Sequence, residues 1–182
     1  MIQLYSLMWV TAFFCGIMGY MRGWNRELLA VSGIVLTMFA IFQFDAFLRV
    51  TIYAVLPRDQ IFLLQSFIFL AVVYLVYQSG DIRTTGTGRR ATAAPAESVQ
   101  SSLLGVLAGA FNGYLIIGTL WYFLDINEYP FAQWVVAPSP GSPSAQNLGL
   151  MPLVLIGGGS GGGGDLLALG VIGLLFFVLV LS

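Results

Sequence analysis

Long uncharged apolar stretches alternate along the chain with short polar interruptions, at spacings that suit membrane-spanning helices. Residues 2–20 carry no charge. As a helix they would reach roughly 28 Å, enough to cross the hydrocarbon core. No positive segment precedes this run and no small-residue cleavage site follows it, so it reads as a retained first span and not as a signal peptide. Residues 28–44 form a second span bounded by Glu27 and Asp45, residues 61–78 a third and residues 103–124 a fourth. Residues 166–181 form a last apolar run that is short for a span. The pattern predicts an all-α, polytopic membrane protein with four transmembrane helices and a short fifth. Residues 1–125 read as a four-helix membrane domain. Residues 126–165 read as a proline- and glycine-rich extracytoplasmic loop and linker, and residues 166–182 as a C-terminal transmembrane helix.

Details within each run refine this reading. Ser32, Gly33 and Thr37 recur at helical spacing and offer a small-residue face on the second span. Residues 46–56 are amphipathic. They are expected to lie along the membrane surface or to extend the second span until Pro57 stops it. The third span is bulky, with Phe62, Phe67, Phe69, Tyr74 and Tyr77, which predicts a lipid-facing outer helix with its two tyrosines in the interfacial belt. Residues 80–102 turn abruptly to Gly, Ser, Thr, Ala and Arg and predict a solvated, flexible loop. In the fourth span Gly105, Gly109 and Gly113 recur every fourth residue and line one helix face, where another backbone can approach closely. Asn112 lies beside that stripe, and its amide needs a hydrogen-bond partner on a neighbouring helix. Pro130, Pro138, Pro140, Pro143 and Pro152 exclude a long helix after the fourth span, and residues 157–164 have the composition of a flexible linker.

Composition narrows the function classes. Of 182 residues 58% are hydrophobic and 8% charged, too few charges to cover a soluble domain of this size. A net charge of −1 gives no electrostatic footprint for nucleic acid. Histidine, the commonest general base and metal ligand, is absent, and the single Cys15 excludes an intrachain disulfide or a multi-thiolate metal site. No nucleophile is paired with a base, and Gly86-Thr87-Gly88 lacks the residues of a phosphate loop. No catalytic residue, cofactor site or metal site is expected.

Charge is concentrated in one place. Arg22, Arg26 and Glu27 fall within six residues, flanked by Gly19 and Gly23, between the first two apolar runs. The chain must surface and turn back there. One reading is a topology anchor, with the arginines reaching to the interface and Glu27 at the positive end of the second helix. The other is a site gripping an anionic headgroup or a partner's carboxylate. Arg22, Arg26, Arg83, Arg89 and Arg90 share one side of the membrane, against Arg49 and Arg58 on the other. The positive-inside rule then places loops 21–27 and 80–102 in the cytoplasm and the N-terminus outside.

The opening cluster, Gly19, Arg22, Gly23, Arg26 and Glu27, resembles the turn between the first two spans of the colicin V production protein (CvpA-like) family. Leu104, Gly105, Gly109 and Gly113 resemble that family's glycine-striped fourth span. The resemblance covers roughly residues 1–125 and leaves the glycine tract and last apolar run outside it. It implies a small bacterial inner-membrane protein without catalytic activity, linked to colicin export and envelope phenotypes. Two functions compete. The first is an accessory or scaffold subunit acting through helix packing, with the lipid bilayer and a second copy or other membrane proteins as partners. The second is a channel or transporter, against which the lack of a mid-span carboxylate and of an inverted repeat counts.

Overall fold

A computed structural model describes residues 3–85 and 99–181. The chain is all helical there: α1 Leu4–Arg22, α2 Trp24–Thr51, α3 Arg58–Thr85, α4 Val99–Ile126, α5 Pro143–Gln146, α6 Pro152–Leu155 and α7 Asp165–Leu181. Four stretches are long and apolar enough to cross a membrane: Leu4–Arg22, Trp24–Thr51, Arg58–Gln78 and Val99–Ile126.

The first connection is a single residue. Gly23 has φ 78° and ψ 165°, and its N–H donates to the Gly19 carbonyl at 2.9 Å. A side chain is strained at such a φ, so glycine lets α1 stop and α2 start without a loop. Helix α2 continues past Phe44 to Thr51, and a 3-10 turn at Tyr53–Val55 leads to Pro57 and α3. Of the two expectations for residues 46–56, the extended second span is the one observed. The loop expected over residues 80–102 is shortened at both ends, because α3 runs on to Thr85 and α4 starts at Val99. Arg89, Arg90 and Gly86-Thr87-Gly88 lie outside the described residues.

Helix α4 is the organising element. It packs along α1 and against α2 and the short α6, while α3 leans mainly on α2, and α7 also lies on α2. Met8, Met38, Phe69, Leu115, Trp121 and Phe123 fill the centre, each no more than 1% exposed. Burying such side chains contributes about 1.5–3 kcal/mol each in water. In a bilayer, where lipid is equally apolar, close packing itself takes over that role. Helix α3 is not simply an outer helix. Phe67 and Tyr74 face outward, but Ile61, Gln65, Phe69 and Val73 are buried on the opposite side.

Residues 126–165 form short helices and turns folded back onto the bundle. Pro152 packs into the space beside Gly118 of α4, and the Tyr5 N–H donates to Ser144 Oγ at 3.2 Å. The tract 157–164, expected as a flexible linker, is a compact loop in which the Gly164 N–H donates to the Gly157 carbonyl at 3.2 Å. Helix α7 buries Leu167 and Val171. Its segment Asp165–Leu174 is apolar and shorter than the four spans.

Candidate functional site

The turn and the glycine stripe meet. A side-chain carbon on Gly19 would fall on the Gly105 carbonyl oxygen, and one on Gly109 would fall on the Cys15 carbonyl oxygen. One on Gly113 would lie 2.8 Å from the Ala12 Cα. Helices α1 and α4 therefore touch backbone to backbone along three turns, which their glycines permit. Gly23 sits at the end of the same seam, its carbonyl carbon 3.1 Å from where a side chain on Gly105 would begin.

Directly beyond that seam lies Glu27, 1% exposed. It stands in the first turn of α2. The close α1–α4 contact and the one-residue turn carry it inward against α4. Asn112 donates from Nδ2 both to Glu27 Oε2 at 2.8 Å and to the Glu27 backbone carbonyl at 3.1 Å. Arg22 Nη1 lies 3.4 Å from Glu27 Oε1, and Tyr77 OH donates to Oε2 at 3.4 Å. Arg22 in turn donates from Nη2 to the Tyr77 carbonyl at 3.2 Å, with its guanidinium 4.4 Å from the centre of the Tyr77 ring. One carboxylate thus ties α1, α2, α3 and α4 together. Charge-assisted hydrogen bonds and an ion pair offset the desolvation that would otherwise make a buried carboxylate costly.

The arrangement gives two of the turn residues packing partners inside the bundle. The Arg22 side chain is 19% exposed and folded over Tyr77. Glu27 is a buried acceptor and does not simply face the solvent at a helix end. Tyr77, expected in the interfacial belt, is a wall of this cluster. Arg26 is half-buried on α2. Asn112 Oδ1 is buried with no hydrogen-bond partner among the described residues.

A second polar network, at the opposite end of the bundle, was not anticipated from sequence. Arg49 Nε donates to Asp45 Oδ2 at 2.7 Å, and Gln65 Nε2 donates to Asp45 Oδ1 at 2.9 Å. Asn127 Nδ2 donates to Gln65 Oε1 at 2.8 Å and to the Phe123 carbonyl at 2.7 Å. Nearby, Trp121 Nε1 donates to Tyr129 OH at 3.0 Å, and Tyr129 OH donates to Asp125 Oδ1 at 3.2 Å. Gln65 and Asn127 are each 1% exposed. A polar amide within an apolar run was the available signal for Gln65.

Chemically, the Glu27 cluster is a set of mutually satisfied groups. Among the described residues no three His, Cys, Asp or Glu side chains come together to hold a metal ion. The profile described as Colicin V production protein matches residues 6–148, so the likeness extends past the fourth helix into the folded-back segment. No curated protein and no solved structure matches the chain. Proteins of this family are non-catalytic membrane proteins. With the match covering most of its length, this multi-pass membrane protein belongs to the colicin V production protein family.

Proposed function

We propose that the chain is an accessory or scaffold subunit of the bacterial inner membrane that works by docking a transmembrane helix of a partner protein or of a second copy. The observation that carries this reading is the outer seam of α1 and α4. An apolar cavity of about 620 Å³, with Trp9, Phe13, Phe111 and Tyr114 among its walls, opens there. It adjoins a second of about 310 Å³ reaching Tyr20 and Met21. Both share Phe13 and Ala110, so together they make one groove running along the helices. Ala12, Gly16 and Ala110 form its floor, and large aromatic side chains stand on its flanks. A groove with a small-residue floor suits the close approach of another helix better than it suits a smooth lipid face.

The Glu27 cluster supports the same reading from inside. It holds α1 at a fixed position on α4, so the groove is pre-formed, and pre-formed surfaces lose less freedom on binding. A channel is the less favoured alternative, because Met38, Phe69, Leu115 and Phe123 fill the space between the helices. The family's description, Colicin V production protein, supports toxin export as one setting for this role, with envelope maintenance as another. The orientation that goes with this proposal has the N-terminus outside and the α1–α2 turn and α3–α4 connection in the cytoplasm, on the arginine distribution.

Purification from native membranes in a mild detergent tests the proposal. A homo-oligomer or a defined membrane partner should be recovered, and Gly16→Phe, which fills the groove floor, should abolish it. A strictly monomeric, partner-free protein, or solute flux through purified protein in liposomes, would overturn the scaffold reading.

A further inference from the structure

At the other end of the bundle a cavity of about 420 Å³ lies between the last turns of α2 and α4, α6 and the glycine loop. That volume falls in the range of small-molecule sites, about 300–1,000 Å³. Asp45 and Arg49 line it, along with Phe42, Phe123 and Leu153. Gly159, Gly162 and Gly163 form another wall, which presents backbone in place of side chains.

Three features make this a built site. Arg49 is planted: its Nε is committed to Asp45, and its terminal amino groups have no partner among the described residues. Asp45 is planted in turn by Gln65, which the buried Asn127 holds. The glycine wall is fixed by space. A side chain on Gly162 would fall on the Gly157 carbonyl oxygen, and one on Gly164, at φ +73°, would meet the Phe42 ring at 3.0 Å. The tract is therefore a shaped loop closing one side of the cavity.

We infer that this cavity binds the headgroup of a zwitterionic phospholipid, one that carries a phosphate and an ammonium. The free end of the Arg49 guanidinium offers parallel donors that match phosphate oxygens. Asp45 supplies the compensating charge for the ammonium. The two side chains sum to zero, so a headgroup with both charges leaves the cavity neutral, while a purely anionic one adds a net negative charge beside the Asp45 carboxylate. Apolar walls from Ile41, Phe42, Ile126 and Leu153 suit the glycerol and first methylenes of a lipid and not a free phosphate. The site stands at the end of two helices long enough to cross the bilayer, where headgroups are found.

Native mass spectrometry of the full chain in detergent, titrated with phosphatidylethanolamine, phosphatidylglycerol or soluble glycerophosphoethanolamine, tests this inference. Phosphatidylethanolamine should bind in preference to both others. Arg49→Gln should weaken it about tenfold, the loss of one charge-assisted hydrogen bond. Asp45→Asn should erase the preference over phosphatidylglycerol, and Ile126→Trp, which fills the cavity with both charges intact, should also expel the lipid. Arg58→Gln, an exposed arginine outside the cavity, should change nothing. Equal binding of the two lipids by the unaltered protein would overturn the inference. So would binding of the soluble headgroup as tightly as the lipid, or indifference to both Arg49→Gln and Ile126→Trp. If one of those two variants does not fold, the other decides.

Discussion

Asn112 reaches from the middle of α4 to the first turn of α2 and donates one amide nitrogen to both the carboxylate and the backbone carbonyl of Glu27, at 2.8 and 3.1 Å. These residues are 85 apart in the chain, and the contact fixes the register of two helices. Asn112→Leu leaves a buried carboxylate short of a donor and should lower stability by about 1–3 kcal/mol. Unfolding in mixed micelles measures this. Asn112→Asp should be worse, because it sets a second carboxylate beside the first.

Arg22 and Glu27 form the ion pair of the same cluster. Glu27→Gln keeps an oxygen able to accept from Asn112 and should be milder than Glu27→Leu. In a double-mutant cycle with Arg22→Gln and Glu27→Gln, the coupling energy should be about 0.5–3 kcal/mol, since Tyr77 braces both residues. Additive effects would mean that the pair is no tighter than an exposed one.

The glycine seam predicts a gradient of tolerance. Gly109→Ala should push α1 off α4, because the new carbon falls on the Cys15 carbonyl. Gly170→Ala meets nothing within 4 Å and should be neutral or slightly stabilising through helix propensity. Gly23→Leu should damage folding or assembly and leave orientation intact, which a reporter fusion on each loop would verify.

Tyr129 lies beyond the fourth span, where burial is the main cause pushing its hydroxyl up to about 12. The hydrogen bond from Trp121 lowers it, and the Asp125 charge and hydrogen bond raise it. The folded state then holds a proton that the unfolded chain releases near 10. Stability from this group is complete below pH 10 and is lost as pH rises toward about 12. The melting temperature should fall over that window, and Tyr129→Phe should flatten the slope. An unchanged slope in the variant would assign the loss to other tyrosines.

How much of this was legible in the sequence follows the range of each interaction. Gly105, Gly109 and Gly113 could be read because a period of four places them on one face whatever they touch. Gly19 and Gly23 announced a tight turn for a similar local reason. The burial of Glu27 could not be read: two arginines and a helix start beside it argue for the surface, and only the folded position of Asn112 reverses that. Tyr77 looked like a belt residue because its aromatic ring suits an interface equally well. The tract 157–164 has the composition of a spacer. Phe42, which shapes it, lies more than a hundred residues earlier.

The central claim is that the α1–α4 groove docks another transmembrane helix, and photo-crosslinking from within it is the most direct measurement. A photoreactive amino acid replacing Phe13 should give a discrete protein adduct in native membranes. The same probe at Phe67, on the outward face of α3 and 72% exposed, should label lipid alone. Lipid adducts alone at both positions would contradict the account.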